Sequence, residues 1–139
     1  MVQIPNAPRL GDMPSNTPVP EGIYHLRCDK VGYKTTGATA KTPGSPMAEC
    51  QFTIFGPAEA EEFHGRKIFE NLMLDGAGMF RVRQFLEATG ENEDFVLDDT
   101  DQLVGRECAA AVQIEKEKVV DGKKYDERNK VARFMALEG

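Results

Sequence analysis

Apolar and polar residues alternate from Gly22 onward, with Tyr24, Leu26 and Cys28 on one parity and Ile23, His25, Arg27 and Asp29 on the other. A period of two is the signature of a strand with one buried face. It predicts a first strand reaching about Tyr33. The polar stretch from Lys34 to Pro46, rich in Thr, Gly and Pro, then reads as a long first loop. Alternation resumes over Met47 to Phe55, where Cys50, Phe52 and Ile54 oppose Glu49, Gln51, Thr53 and Phe55, and again over Arg66 to Leu74, where Ile68, Leu72 and Leu74 oppose Lys67, Phe69, Asn71 and Met73. These are strands two and three.

The period then changes. Met79, Phe80, Val82, Phe85 and Leu86 fall on one helical face, with Asp75 placed to cap the first turn and Gly90 to end the last. Strand four runs over Gly105 to Lys118, with Cys108, Ala110, Val112 and Ile114 inward, and Asp121-Gly122 is the signal for a tight hairpin into strand five. Val131 and Phe134 cannot both face inward on a regular strand, which predicts a bulge near Ala132. Strand, strand, strand, helix, strand, strand, with a long first loop, is the order of a mainly β domain: a five-stranded OB-like barrel with one helix between strands three and four.

The first nineteen residues stand apart. Five of the eight prolines lie in the first twenty positions, without apolar periodicity, so residues 1–19 read as a flexible proline-rich arm and residues 20–139 as one domain. The 139-residue length suits a single core. No apolar run approaches the ~18 residues of a membrane span. The N-terminus has no secretory pattern, and the three widely spaced cysteines form neither a disulfide framework nor a CxxC site. A reducing cytoplasm is the expected location.

Charge complicates the picture. The net charge of −6 disfavours a nucleic-acid partner, yet it is segregated. Glu91 to Asp101 carries six acids and no base, whereas Lys116 to Arg133 carries seven bases against four acids. The acidic run lacks the Gly and terminal Glu of a calcium loop and reads as a solvated connection.

Catalytic chemistry finds no set of residues to carry it, and no cofactor or metal is expected. His25 and Cys28 have a ligand-like spacing, but residues three apart on a strand face opposite ways, and Cys28, Cys50 and Cys108 share the core parity. His64 beside Gly65 reads as a turn residue. The threonine-rich first loop lacks a P-loop ending, and Asp75 as a cap would occupy the amides of any anion site at the helix start. No nucleophile, base and orienting group are grouped.

The outward parity is more informative. It presents Arg27, Phe55, Lys67 and Phe69 on the strands, with Tyr33, Lys34 and Lys41 at the first loop and Lys116, Lys118, Lys123, Lys124, Tyr125, Arg128 and Lys130 around the last hairpin. Aromatic faces that stack bases, beside cations that meet phosphates, make a single-stranded nucleic-acid groove on an OB-fold. The other reading of the same residues packs Phe55 and Phe69 under the helix or a loop and leaves the lysines to solubilise a hairpin.

Four segments carry a family resemblance. Pro20-Glu21-Gly22-Ile23-Tyr24, the run Phe63-His64-Gly65-Arg66-Lys67-Ile68-Phe69-Glu70-Asn71-Leu72, Arg83-Gln84-Phe85-Leu86 and Leu103-Val104-Gly105-Arg106 resemble the landmarks of a bacteriophage family of single-stranded DNA-binding proteins, formerly a domain of unknown function. The resemblance spans about Val19 to Leu137. It implies an OB-fold that coats and protects single-stranded DNA with little sequence preference during phage replication or recombination, in the bacterial cytoplasm. Catalysis and a cofactor are not implied; replication or recombination proteins and further copies of the chain are the expected protein partners. A long acidic tail of the bacterial type is not among the shared features, so recruitment through one is not expected. Two other classes remain: a protein-interaction module in which Glu91 to Asp101 meets a basic partner and Phe69 anchors the interface, or an inhibitor of a host nuclease whose acids imitate phosphates.

Overall fold

The computed structural model describes residues 1–7, 9, 17–35, 44–125 and 127–137, and leaves out the side chains of Lys118, Val120, Lys123, Lys124 and Tyr125. Lys41 lies outside the described residues. Among the described residues the strands are β1 (Gly22–Thr35), β2 (Pro46–Gly56), β3 (Lys67–Met73), β4 (Glu107–Glu115), β5 (Lys118–Val120), β6 (Lys123–Tyr125) and β7 (Arg128–Met135), and an α-helix, α1 (Phe80–Ala88), lies between β3 and β4. Five strands form an antiparallel sheet in the order β3-β2-β1-β4-β7. β5 and β6 form a separate two-stranded hairpin, joined by Asp121 and Gly122, both at positive φ, as the Asp-Gly signal predicts.

The inward parity makes the core. Leu26 and Cys28 of β1, Cys50, Phe52 and Ile54 of β2, Ile68 and Leu72 of β3, Cys108, Ala110 and Val112 of β4, and Val131 and Phe134 of β7 are all buried. Val131 pairs with Val112 and Phe134 with Ala110, which skips Ala132 and turns both apolar side chains inward through the expected bulge. Burial leaves the three free cysteines as core filling. It raises the Cys108 thiol to about 12, while a hydrogen bond with Cys28, reinforced by burial, drives Cys50 well above the usual thiol range.

Nine residues are too few for a stable isolated helix, so α1 depends on docking. Val82 and Phe85 are buried, and Phe85, Phe52 and Phe134 pack as a triangle with centroids 5.2 to 5.7 Å apart. Gly90, at φ 100°, closes the C-terminus with Gly90 N–H to Glu87 O and Glu91 N–H to Leu86 O. The N-terminus departs from expectation. Asp75 makes no cap; Gly76, at φ 67° and ψ −164°, redirects the chain into a single 3-10 turn, Ala77–Met79, before α1 starts. Met79 and Phe80 therefore overhang the core and remain exposed.

The two edge strands of the five-stranded sheet are not laddered together. Side chains bridge them instead. Val131 N–H donates to Glu70 Oε1 at 2.6 Å, the Val131 carbonyl accepts from Arg81 at 2.5 Å, and Arg81 donates to Glu70 Oε2 at 3.1 Å. The peptide groups that a β3–β7 ladder would use are thus taken by a carboxylate from β3 and a guanidinium from α1. The end of the proline-rich segment also joins the folded unit. Val19 is buried, and both its N–H and its carbonyl bond to the Asn129 side chain, at 2.8 and 2.9 Å.

Candidate nucleic-acid interface

Register across β1, β2 and β3 arranges the outer face in rows. Arg27, Thr53 and Lys67 form one, Lys30, Gln51 and Phe69 the next, Gly32, Glu49 and Asn71 a third, and Lys34, Met47 and Met73 the last. Residues directly paired share a face, and successive rows lie about 7 Å apart along the strands. Phe69 is 60% exposed in the second row, on the edge strand. It does not pack under the helix or a loop.

A bulge sets which residues of β1 join these rows. Cys28 pairs with Phe52 and Lys30 with Gln51, so Asp29 is the extra residue and the parity reverses beyond it. Lys30 thereby reaches the outer face in the row of Phe69, across Gln51 of β2. Tyr33 pairs with buried Ala48 and falls on the inner parity, beyond the end of the core and 61% exposed. Strict alternation places it outward, and the bulge overturns that placement.

Asp29 organises the first row. Its carboxylate accepts from Arg27 Nε at 2.7 Å, from the Thr53 hydroxyl, and from Lys67 Nζ at 3.5 Å, while Lys67 also donates to Thr53 Oγ1 at 2.5 Å. The Arg27 hydrogen bond, then that of Thr53, hold the Asp29 carboxyl below its ordinary value. Glu107 of β4 pairs with Arg27 on the same face and adds a second anion, so the row holds two cations and two anions and its side chains are held in place. Lys34 is tied to Glu49 at 2.9 Å, while Lys30 is exposed and makes no ion pair among the described residues.

On its free side Phe69 borders a groove of about 520 Å³ between β3 and β7, lined also by Thr17, Pro18, Arg66, Lys67, Arg128 and Asn129, and by one acid, Glu127. The Arg66 guanidinium donates to the Thr17 carbonyl, and Arg128 faces Glu115 at 3.5 Å. Of the residues expected to form one site, the structure gathers Arg27, Lys67, Phe69 and Arg128. Lys34 lies at the far end of the β1–β2 hairpin, and Phe55 is half-buried against His25, with ring centroids 5.9 Å apart. Lys130 pairs with Gln113 on β4, and Lys116 sits in the connection after β4. The side chains of Lys118, Lys123, Lys124 and Tyr125 lie outside the described residues.

Sequence reasoning alone misses Lys30, Asp29 and Glu70. The signal for Glu70 is present, since it shares the inward parity of Ile68 and Leu72 and so needs a buried partner. Among the described residues no group of three or more His, Cys, Asp or Glu is placed to hold a metal ion. Compared with models of known protein families and with curated protein sequences, the chain matches none.

Proposed function

We propose that this chain binds single-stranded DNA across the outer face of β1, β2 and β3, as a non-catalytic coating protein of phage replication or recombination. One observation carries the reading. An exposed phenylalanine, Phe69, stands in a polar row with Lys30, next to the Arg27–Lys67 row and at the mouth of the groove toward Arg128. A buried ring would explain itself by packing; this one offers a face on which a base can stack while the cations meet the backbone. The strand order supports an OB-type architecture, in which the third and fifth strands of the barrel approach each other and here do so through Glu70, Arg81 and Val131.

The test is fluorescence anisotropy with a labelled oligothymidine at several salt concentrations. Phe69→Ala lowers affinity by about 1 to 3 kcal/mol, roughly 5- to 150-fold, with little dependence on base sequence. Lys30→Glu weakens binding through the phosphate term and flattens the salt dependence. Absence of salt-sensitive binding by the parent at micromolar protein defeats the proposal. Parent-like binding by a folded Phe69→Ala variant removes the site from this face.

A further inference from the structure

A second surface lies away from these rows, between α1 and the segment that follows it. A groove of about 780 Å³ is floored by Val82, Leu86 and Phe95 and edged by Met79, Phe80 and Val96. Phe80 is 67% and Val96 70% exposed, so two large apolar side chains stand in water on either side of an apolar floor. Exposed apolar surface of this kind marks an interaction site more often than it marks nothing.

The charges around it are acidic in excess. Arg83 is matched by Glu87 at 2.8 Å and Glu91 by Arg106 at 2.8 Å. Glu93, also on the rim, makes no ion pair among the described residues, and Asp94 and Asp98 follow it in an acidic stretch without a base. Such a rim repels phosphates and attracts cations.

The groove is built before anything enters it. Arg106 donates to Gln102 O at 2.6 Å, Thr89 Oγ1 at 3.0 Å and Glu91 Oε1 at 2.8 Å, and lies 5.0 Å from the centre of the Phe95 ring. Asp99 and Gln102 form a capping box that closes the 3-10 turn Thr100–Leu103, and Gln102 also donates to the Val96 carbonyl. A segment tied at so many points loses little conformational freedom on binding. The acidic stretch that the sequence reads as a solvated connection keeps most of its acids exposed, and its Phe95, Val96 and Leu97 line the groove.

We propose that this groove docks a basic, amphipathic segment of a partner protein, whose apolar side chains contact Phe80 and Val96 while its Lys or Arg residues face Glu93 and the acids beyond. The inference is independent of DNA binding and would stand if that reading failed. The probe is a short fluorescent peptide with Leu at helical i, i+3, i+4 spacing and Lys elsewhere, set against a scrambled peptide of the same composition. The expected result is saturable binding below about 100 µM that the scrambled peptide does not reproduce. Phe80→Ser with Val96→Ser, and separately Glu93→Lys, weaken it at least tenfold without changing oligonucleotide affinity. Both serine substitutions fall on exposed side chains, so folding is preserved, and melting curves verify it; Glu93→Lys tests the same site without touching the apolar residues. No saturable binding, or binding that ignores both sets of substitutions, overturns the proposal. A dimer in sedimentation that Phe80→Ser dissociates overturns it too, because the occupant is then a second copy of the chain.

Discussion

Replacing Glu70 by Ala removes the bridge between the sheet's two edges, and its cost follows from what is left behind. Glu70 is only 9% exposed, and its Oε1 is the partner of Val131 N–H, a buried backbone donor. Orphaning that donor costs about 1 to 3 kcal/mol. Arg81 loses its carboxylate but keeps the Val131 carbonyl and, at 27% side-chain exposure, reaches water, so its loss adds no more than about 1 kcal/mol. Relief from holding a buried carboxylate offsets part of the sum. The expected net is about 2 to 3 kcal/mol, which at roughly 4 °C per kcal/mol for a chain of this size lowers Tm by about 10 °C. Glu70→Gln retains an acceptor for Val131 and should lose about half as much, and Glu59→Ala, on an exposed carboxylate, should lose nothing measurable. Urea unfolding gives the free energies, and amide exchange at Val131, faster in Glu70→Ala, locates the effect. If Glu70→Ala unfolds within about 0.5 kcal/mol of the parent, Val131 has another partner and the bridge does not hold the edges together.

Three further outcomes follow from the core and the outer face. Because the folded-state pKa of Asp29 is depressed below 3.8, its contribution is fully present above that pH and is lost as the pH falls through the folded value. The stability gap between the parent and Asp29→Asn should therefore narrow in acid melts, and a gap constant with pH would contradict the Arg27 and Thr53 assignment. Cys28, Cys50 and Cys108 should react with a thiol reagent only at the rate of unfolding, so stoichiometric labelling of the folded protein within minutes would refute their burial. Val19→Ala should cost about 1 to 3 kcal/mol by urea unfolding, whereas deleting the exposed residues 1–7 should leave stability unchanged; equal effects would show that Val19 is not part of the core.

Parity makes most of this fold legible. Where apolar residues mark the inner face densely, as at Phe52, Ile54, Ile68 and Leu72, the strands and their inward sides follow directly. The bulge at Ala132 is legible for a specific reason: Val131 and Phe134 conflict unless a residue is skipped. The bulge at Asp29 leaves a weaker sign, because Asp29 and Lys30 are both polar and the one apolar residue beyond them that packs on the core, Val31, is only partly buried. Lys30 goes unnoticed in the sequence for that reason, and Tyr33, expected at the first loop, lies on β1 near its end. Helical periodicity likewise places Phe80 with Val82 and Phe85, but it cannot show that α1 starts at Phe80, which stays exposed while Val82 in the same turn is buried. Asp75 reads as a cap only if the helix begins at Gly76, and the Gly76 backbone sends the chain elsewhere first.

An overall charge of −6 and a single-stranded DNA partner are compatible only if the phosphates meet a locally positive surface. Screening makes the local count the relevant one, since exposed charges more than about 8 to 10 Å apart scarcely interact at physiological salt. Across the rows of β1, β2 and β3, Arg27 and Lys67 are balanced by Asp29 and Glu107, and Lys34 by Glu49, so one cation, Lys30, stands unmatched. One phosphate neutralised on a single strand gives a slope near −0.7 in log affinity against log salt, roughly a threefold loss between 50 and 200 mM. Affinity would then rest mainly on stacking at Phe69, which is why that substitution is the decisive one. A slope of about −3 or steeper would mean that further cations neutralise phosphates, and the basic hairpin with Lys118, Lys123 and Lys124 is the nearest source in sequence to Arg128 at the groove. Charge reversal at Lys123 and Lys124 separates the two cases, because it flattens a steep slope and leaves a shallow one unchanged.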